Sequence, residues 1–496
     1  MSSLAWKSIN WPLVEARILR YQTRIFKASK ENNIDKVRCI QKRLLNSFDA
    51  KLVSVRQITM LNKRKISLGL DRQVFITDLQ KEKLVKKLRL HDKVLFTQCR
   101  TINDLGKTEK YSFDLLTLKE KAKQALCLLA LEPEWEAKFE TSSYGFRRDV
   151  CYHDAMKSIF LSLRNHSSKY ISTIDITRYL YQIDHEYLVK KLNTLPEIEI
   201  QLKAWLKSGI LEGLVNSTKE SNIIEKITGT PQGEILSPLL SNIALHGLEI
   251  HMKKWISTKV SFVKTNGYLK NVKRKSFSVL RYAGNFVIIH QDKKTVYEAK
   301  KEIFHWLLDF PRIKLYHRKT SIQNSDEGFN FLGFSGITIR IGDKVRAKIY
   351  PSRKSQELLI LKVRDVIQRN RSTSSYNLIL LLRPIIACWS NYFKYSECTN
   401  CFQKLTHLIL QQLRAWVFRR DTRNGRKKIK QRYFPSGKEY YFNGKNHKDN
   451  WVLNGKIRDK KGIMKENWLP HMRWVNREKW VNIKVNQLPF QGDNLY

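Results

Sequence analysis

The hydrophobic period changes twice along this chain, and the changes divide it into three kinds of structure. Val14, Ile18, Tyr21 and Ile25 recur at steps of four, three and four, and Val37, Ile40, Leu44 and Phe48 repeat the pattern, so the first hundred residues predict amphipathic helices. From about residue 100 to 345, β-rich runs such as Tyr170–Ile176 and Val279–Ile289 alternate with helical segments such as 237–255, the pattern of an α+β domain. Ser237 is the expected N-cap of that helix, with Pro238 at its first position. After Pro351 the period is helical again. Leu359, Val363, Val366 and Ile367 form one stripe, Ile385, Ile386, Trp389, Tyr392 and Phe393 a second, and Phe402, Leu405, Ile409, Leu413 and Trp416 a third.

Charge narrows the partners. A chain of 496 residues with 42% apolar content has the makings of several cores, yet it carries 92 Lys and Arg against 45 Asp and Glu, a net charge of +47. Such a surplus on a folded chain attracts polyanions, nucleic acid first and an acidic membrane surface second. Arg17, Arg20, Arg24 and Lys27 lie off the first apolar stripe as a basic face, and Arg38, Lys42 and Arg43 lie off the next. Eight of the fourteen residues from Arg419 to Arg432 are basic, with Asp421 the single acid, and Trp451, Trp468, Trp474 and Trp480 stand among Lys and Arg near the end. Interleaved charge and aromatic surface is what RNA contact requires. No run of 18 apolar residues predicts a membrane span, and the N-terminus has no charged region followed by an apolar one. Seven scattered cysteines suit a reducing interior, and Cys398-x-x-Cys401 with His407 falls short of a tetrahedral zinc set.

The middle segment carries the chemistry. Nucleotidyl transfer uses two divalent ions about 4 Å apart, which need several carboxylate oxygens gathered around them. In order, the chain presents 132–140 (Glu-Pro-Glu-Trp-Glu-Ala-Lys-Phe-Glu) with Ser143-Tyr144-Gly145-Phe146-Arg147, then Ile174-Asp175-Ile176 with Ile183-Asp184-His185, then Gly229-Thr230-Pro231-Gln232-Gly233 running on through 237–243 (Ser-Pro-Leu-Leu-Ser-Asn-Ile). Arg281-Tyr282-Ala283-Gly284-Asn285, Lys319-Thr320 and Phe331-Leu332-Gly333-Phe334 follow. In this order the segments resemble the fingers and palm of group II intron-encoded reverse transcriptases. The resemblance implies an α+β right-hand polymerase fold, with fingers and an antiparallel palm sheet followed by an all-α thumb. It places Asp175 at the first metal position.

The departures fall where catalysis would sit. Gly284 and Asn285 occupy the positions of the family's paired aspartates, which leaves Asp175 as the one metal-ligand position and no metal site on which to rely. Tyr111–Leu116 stands where the family keeps a basic triphosphate contact, Leu180 replaces an aromatic that screens the sugar, and Tyr181 replaces a further aspartate. Pro351–Ser355, Pro384–Ile386, Trp389–Phe393 and the stretch from Phe402 to Phe434 resemble the maturase-specific domain X, which is the thumb. Residues 489–496 resemble the junction into an HNH endonuclease, and DNA cleavage is not expected.

These readings divide the chain into a helical extension with the start of the fingers (1–100), fingers and palm (101–345), thumb or domain X (346–435) and a basic Trp-rich segment (436–496). The expected function is that of a group II intron maturase, which stabilises the active fold of intron RNA, with copying lost. An active polymerase with a variant hairpin and a splicing factor serving many introns remain open. RNA contact is assigned to Arg17, Arg20, Arg24, Lys27, Gln232, Lys319, Arg414, Arg419, Arg420, Arg423, Arg426, Lys427 and Lys428. The protein itself requires no cofactor, while Mg2+ serves the RNA. The partner is precursor RNA, with no membrane and no secreted partner; dimerisation is open. The expected compartment is the plastid, ahead of the mitochondrion or bacterial cytoplasm.

Overall fold

Residues Trp11–Lys30 form the first long helix of the computed structural model, capped by Asn10, whose side chain accepts from the Leu13 N–H at 3.2 Å. The model describes the chain except residues 1–5, 64–76, 91–95, 98–114, 117, 165–168, 177–182, 208–234, 260–261, 266–267, 272–276, 314–321, 343, 459–461, 463 and 481–496. It divides into two units. One comprises Met1–Ala155 and Ser172–Ser321, the other Met156–Ile171 and Ile322–Lys484.

In the first unit the apolar stripes close a helical core. Val14, Ile18 and Ile25 are buried together with Val37, Ile40 and Leu44 of the Ile34–Asn46 helix. Phe48 does not continue that stripe. The helix stops at Asn46, Ser47 turns the chain, and Phe48 opens the next helix, Phe48–Lys63, at 42% exposure. The helix Leu118–Glu136 packs against these three, and Arg38 bridges to it by pairing with Glu134 at 2.6 Å.

The palm strands of this unit lie in the order Ser143–Tyr144, Ser278–Tyr282, Asn285–His290, Tyr170–Asp175. The central pair is an antiparallel hairpin with Tyr282 opposite Asn285, but Ser143–Tyr144 joins Arg281–Tyr282 in parallel, so the sheet is not wholly antiparallel. Phe286, Val287, Ile288 and Ile289 are all buried, as a strand covered on both faces must be.

The helical segment 237–255 is two helices. Leu236, not Ser237, holds the N-cap position of Ser237–Leu245, and the chain breaks at His246–Gly247 before Leu248–Thr258. Gly247 takes φ +96°, which a side chain resists, and Glu140 accepts from its N–H at 2.6 Å. The freed carbonyls have a donor as well: Lys191 Nζ donates to Ala244 O at 3.0 Å and His246 O at 2.5 Å. Burial lowers the pKa of that lysine to about 8.

The second unit opens on a three-stranded antiparallel meander, Phe329–Phe331, Phe334–Ile341 and Lys344–Pro351. The helices Arg353–Arg369, Ser375–Phe393, Thr399–Arg420 and Arg426–Tyr433 follow. Phe402, Leu405, Ile409, Leu413 and Trp416 are all buried, so the third predicted stripe is core along its whole length. The Phe331–Phe334 turn docks here: Leu332 and Gly333 have φ of 49° and 79°, Tyr392 Oη donates to Leu332 O at 2.9 Å, and Phe334 stacks on Tyr392.

The described part of the Trp-rich segment is folded. Two hairpins, Glu439–Phe442 with Lys445–Lys448 and Asn454–Arg458 with Met464–Trp468, enclose Tyr440, Val452 and Trp474. Trp474 and Trp480 are only 6% and 5% exposed, so two of the four expected stacking rings are core, while Trp451 and Trp468 are partly exposed. Asp449 ties the segment together by accepting from Trp474 Nε1 at 2.8 Å, Arg473 Nε at 3.2 Å and His471 Nδ1 at 3.2 Å.

Burial opposes ionisation of Asp449, yet hydrogen bonds from His471, Arg473 and Trp474 outweigh it and hold the carboxyl well below the ordinary range. A depressed carboxyl contributes stability that is complete above its unfolded pKa, about 3.9, and is lost as pH falls through the folded value. Asp449→Asn is therefore expected to lower the melting temperature at pH 7, with the gap from wild type narrowing below about pH 4. A gap that stays constant to pH 2 would remove the carboxylate from this role.

Candidate nucleic-acid interface and palm hairpin

The three sequence-predicted palm positions come together. Asp175 ends its strand exposed to solvent, and the next residue, Ile176, donates its N–H to Gly284 O at 2.8 Å, which fixes that strand end against the hairpin turn. Asn285 follows as the first residue of the return strand. Of the three palm positions, Asp175 is the one that carries a carboxylate, whereas nucleotidyl transfer asks for several around its metal ions. The turn takes its positive φ at Ala283, 52°, and not at Gly284, so glycine at 284 is not demanded by the backbone.

Behind the turn lies a residue whose role the sequence did not disclose. Arg281 is buried, and its guanidinium donates to Asn242 Oδ1 at 2.7 Å, to Ser143 Oγ and to Ala283 O at 3.3 Å. Asn242 in turn donates to Gly145 O at 3.0 Å. The network closes on the backbone: Ala283 N–H donates to Tyr144 O at 2.9 Å. Gly145 sits at φ +88°, where an added Cβ would meet Ala283 N at 2.8 Å. Three motifs distant in sequence, 143–147, 237–243 and 281–285, are thus stitched by one cation. Burial lowers the Arg281 pKa to about 10, which leaves it charged at neutral pH.

The glutamates of 132–140 build the neighbouring frame. Glu134 receives Arg38, Lys138 and Gln41, Glu136 receives Arg147 at 2.5 Å, and Glu140 receives His246 at 2.8 Å. Burial raises the carboxyls of Glu132, to about 6, and of Glu136. This segment is an ion-pair hub that orients the fingers.

The basic candidates divide by what holds them. Arg20, Arg24 and Lys27 are exposed with no ion-pair partner among the described residues, whereas Arg17 is committed to Asp49 through a two-point contact of 2.6 and 2.9 Å. The basic run after Trp416 splits into a helix end, a turn and a short helix. Arg419, Arg423, Arg426, Lys427 and Lys428 are exposed. Arg414 lies over the Trp451 ring at 4.5 Å with Lys430 at 4.8 Å, and Arg420 donates to Thr373 O beside the Trp416 ring. Gln232 and Lys319 lie outside the described residues, as do Tyr111–Asp114, Leu180, Tyr181 and residues 229–233. Burial pushes the Cys398 and Cys401 thiols up to about 11 and about 12. No metal-holding cluster occurs among the described residues.

A palm hairpin held against fingers, with a separate helical bundle ending in an exposed basic run, defines a polymerase-fold protein. Residues 6–88 match the N-terminal domain of reverse transcriptase, 106–335 the reverse transcriptase (RNA-dependent DNA polymerase) family and 357–434 the maturase-specific domain of group II introns. Among similar proteins, Maturase-like protein 1 of Euglena gracilis is 24% identical over 79% of this chain and 78% of its own length. Group II intron-encoded protein LtrA of Lactococcus lactis subsp. cremoris is 27% identical over 49% of this chain and 48% of its own, and Protein YkfC of Escherichia coli (strain K12) is 28% identical over 44% and 60%. The chain belongs to the group II intron-encoded reverse transcriptase and maturase family.

Arg281→Met removes the guanidinium donors to Asn242 Oδ1, Ser143 Oγ and Ala283 O at once, and a buried group left unpaired costs about 1–3 kcal/mol. Hydrogen exchange at the Ala283 and Ile176 amides is expected to speed up by about 100-fold, following roughly 3 kcal/mol of lost local stability. Unchanged exchange would show that the hairpin is held by its strands alone.

Proposed function

We propose that this protein is a group II intron maturase that binds intron RNA, favours its splicing-competent fold and does not copy it. The observation that carries the reading is a joint one: the maturase-specific domain match at 357–434 ends in an exposed basic run, while the hairpin beside Asp175 presents Gly284 and Asn285. The intron's own RNA performs the transesterifications with Mg2+, and the protein acts by binding the compact RNA fold more tightly than open ones, the one way a ligand shifts such an equilibrium. Phosphate contacts from Arg20, Arg24 and Lys27 and from the 419–428 run supply most of the affinity, and unpaired loops supply selectivity. The partner is precursor RNA. The compartment we favour is a plastid; genomic location of the reading frame inside a plastid group II intron is the direct test. A reading frame found outside any intron would favour service to many introns.

The second reading, a working polymerase, draws on the reverse-transcriptase match over residues 106–335. Primer extension on an RNA template with Mg2+ or Mn2+ separates the two. We expect no template-dependent product, and synthesis abolished by Asp175→Ala would overturn the loss of copying. The paired change Gly284→Asp with Asn285→Asp is expected not to restore synthesis, since Tyr111–Leu116 and Leu180 depart from the family as well; robust product would confine the loss to the hairpin.

Binding to a folded group II intron is expected to weaken steeply with salt. Changing Arg419, Arg420, Arg426 and Lys427 together to Ala should flatten that slope by up to about three to four units on a log–log plot, at about 0.9 for each phosphate no longer neutralised. An unchanged slope in a filter-binding titration would take this run out of the interface.

A further inference from the structure

We infer that a groove at the end of the Thr399–Arg420 helix receives a single unpaired RNA nucleotide, its base against Phe418 and its phosphate at Arg414 and Arg426; this rests on, and deepens, the maturase reading. Gln411, Arg414, Ala415 and Phe418 share one helix stripe at steps of three, one and three, and Arg426 of the next helix closes the far side. The cavity measures about 360 Å³, near the lower end of the range of about 300–1,000 Å³ typical of small-ligand sites. Ala415 is the smallest of its lining side chains. The chemistry selects the occupant. Among the described residues two guanidiniums and no carboxylate line the groove, which disfavours a metal ion or an apolar ligand and favours an anion.

Arg414 is pre-oriented, its guanidinium resting over the Trp451 ring at 4.5 Å, a placement that leaves its in-plane N–H groups available to donate. Gln411 spends its amide N–H on His407 Nε2 at 2.9 Å, leaving its carbonyl oxygen to accept from a base amine. The nearby acid Asp421 is already engaged, receiving Asn424 at 2.8 Å and Arg432 at 3.6 Å. An aromatic face beside phosphate-binding cations and an amide acceptor is how single-stranded RNA is read, whereas a base held within a duplex has no free face to offer.

The test compares an RNA duplex of about twelve base pairs carrying one bulged 2-aminopurine with the same duplex fully paired, at roughly 0.15 M salt, using the full chain. We expect the bulged duplex to bind about ten-fold tighter and its fluorescence to be quenched by stacking. Phe418→Leu, which removes the ring, and Ala415→Leu, which fills the space, should each abolish the preference and the quench while leaving affinity for the paired duplex unchanged. Equal affinity for the two duplexes, or a quench undiminished in both variants, overturns the groove while leaving the maturase reading intact. Failure to bind either duplex or folded intron RNA overturns both.

Discussion

The first unit depends on one buried cation. Arg281 lies where strand, fingers and helix meet, and each of its donors ends on a different motif: Ser143, Asn242 and the carbonyl of Ala283. Burying a guanidinium is costly, and this arrangement offsets the cost by satisfying it with neutral acceptors and the more distant charges of Glu140 and Glu249. The consequence is geometric. With Gly145 too close to Ala283 for any side chain, the hairpin cannot shift without disturbing 143–147 and 237–243 as well. The placement of Gly284 and Asn285 beside the end of the Asp175 strand is therefore fixed by residues that take no part in metal chemistry.

The second unit solves a similar problem with aromatic packing. Gly333 lets the Phe331–Phe334 turn approach Ser355, whose hydroxyl donates to Gly333 O at 2.9 Å, and Phe334 is sandwiched among Tyr392, Phe393 and Trp480. A further close approach, between Gly455 and the backbone of Tyr376, seats the Asn454–Trp468 hairpin on the Ser375–Phe393 helix. The basic run at 419–428 thus extends from a bundle whose far end is braced by packed rings.

What the sequence disclosed was set by period and by order. Long stripes such as Phe402–Trp416 are read from spacing because a 3.6-residue repeat over five positions rarely arises outside a helix. The palm was legible through the order of its motifs. Local composition was a poorer guide. Trp474 and Trp480 among lysines look like stacking surface, but Trp474 fills the core of the two-hairpin module and Trp480 packs on Phe334 and Tyr395. Arg17 shares its basic face with Arg20 and Arg24, and only the fold brings Asp49, 32 residues on, within reach. The Gly247 break depends on Glu140 and Lys191, which no local pattern can announce. Arg281 was hidden for the same reason: one arginine before a hairpin is ordinary until Ser143 and Asn242 surround it.

The hairpin and the basic run belong to one electrostatic argument. Carboxylates gathered at a palm tip repel one another and are tolerable when divalent cations sit among them. With Gly284 and Asn285 in place, the turn beside Asp175 brings it no second acid, and the cation at its base, Arg281, is held by neutral oxygens. With paired aspartates at the tip the net charge would be two units below the +47 of this sequence, and a larger positive surplus attracts polyanions more strongly within about a Debye length. A palm arranged in this way keeps its shape through contacts among 143–147, 237–243 and 281–285 that involve no metal ligand.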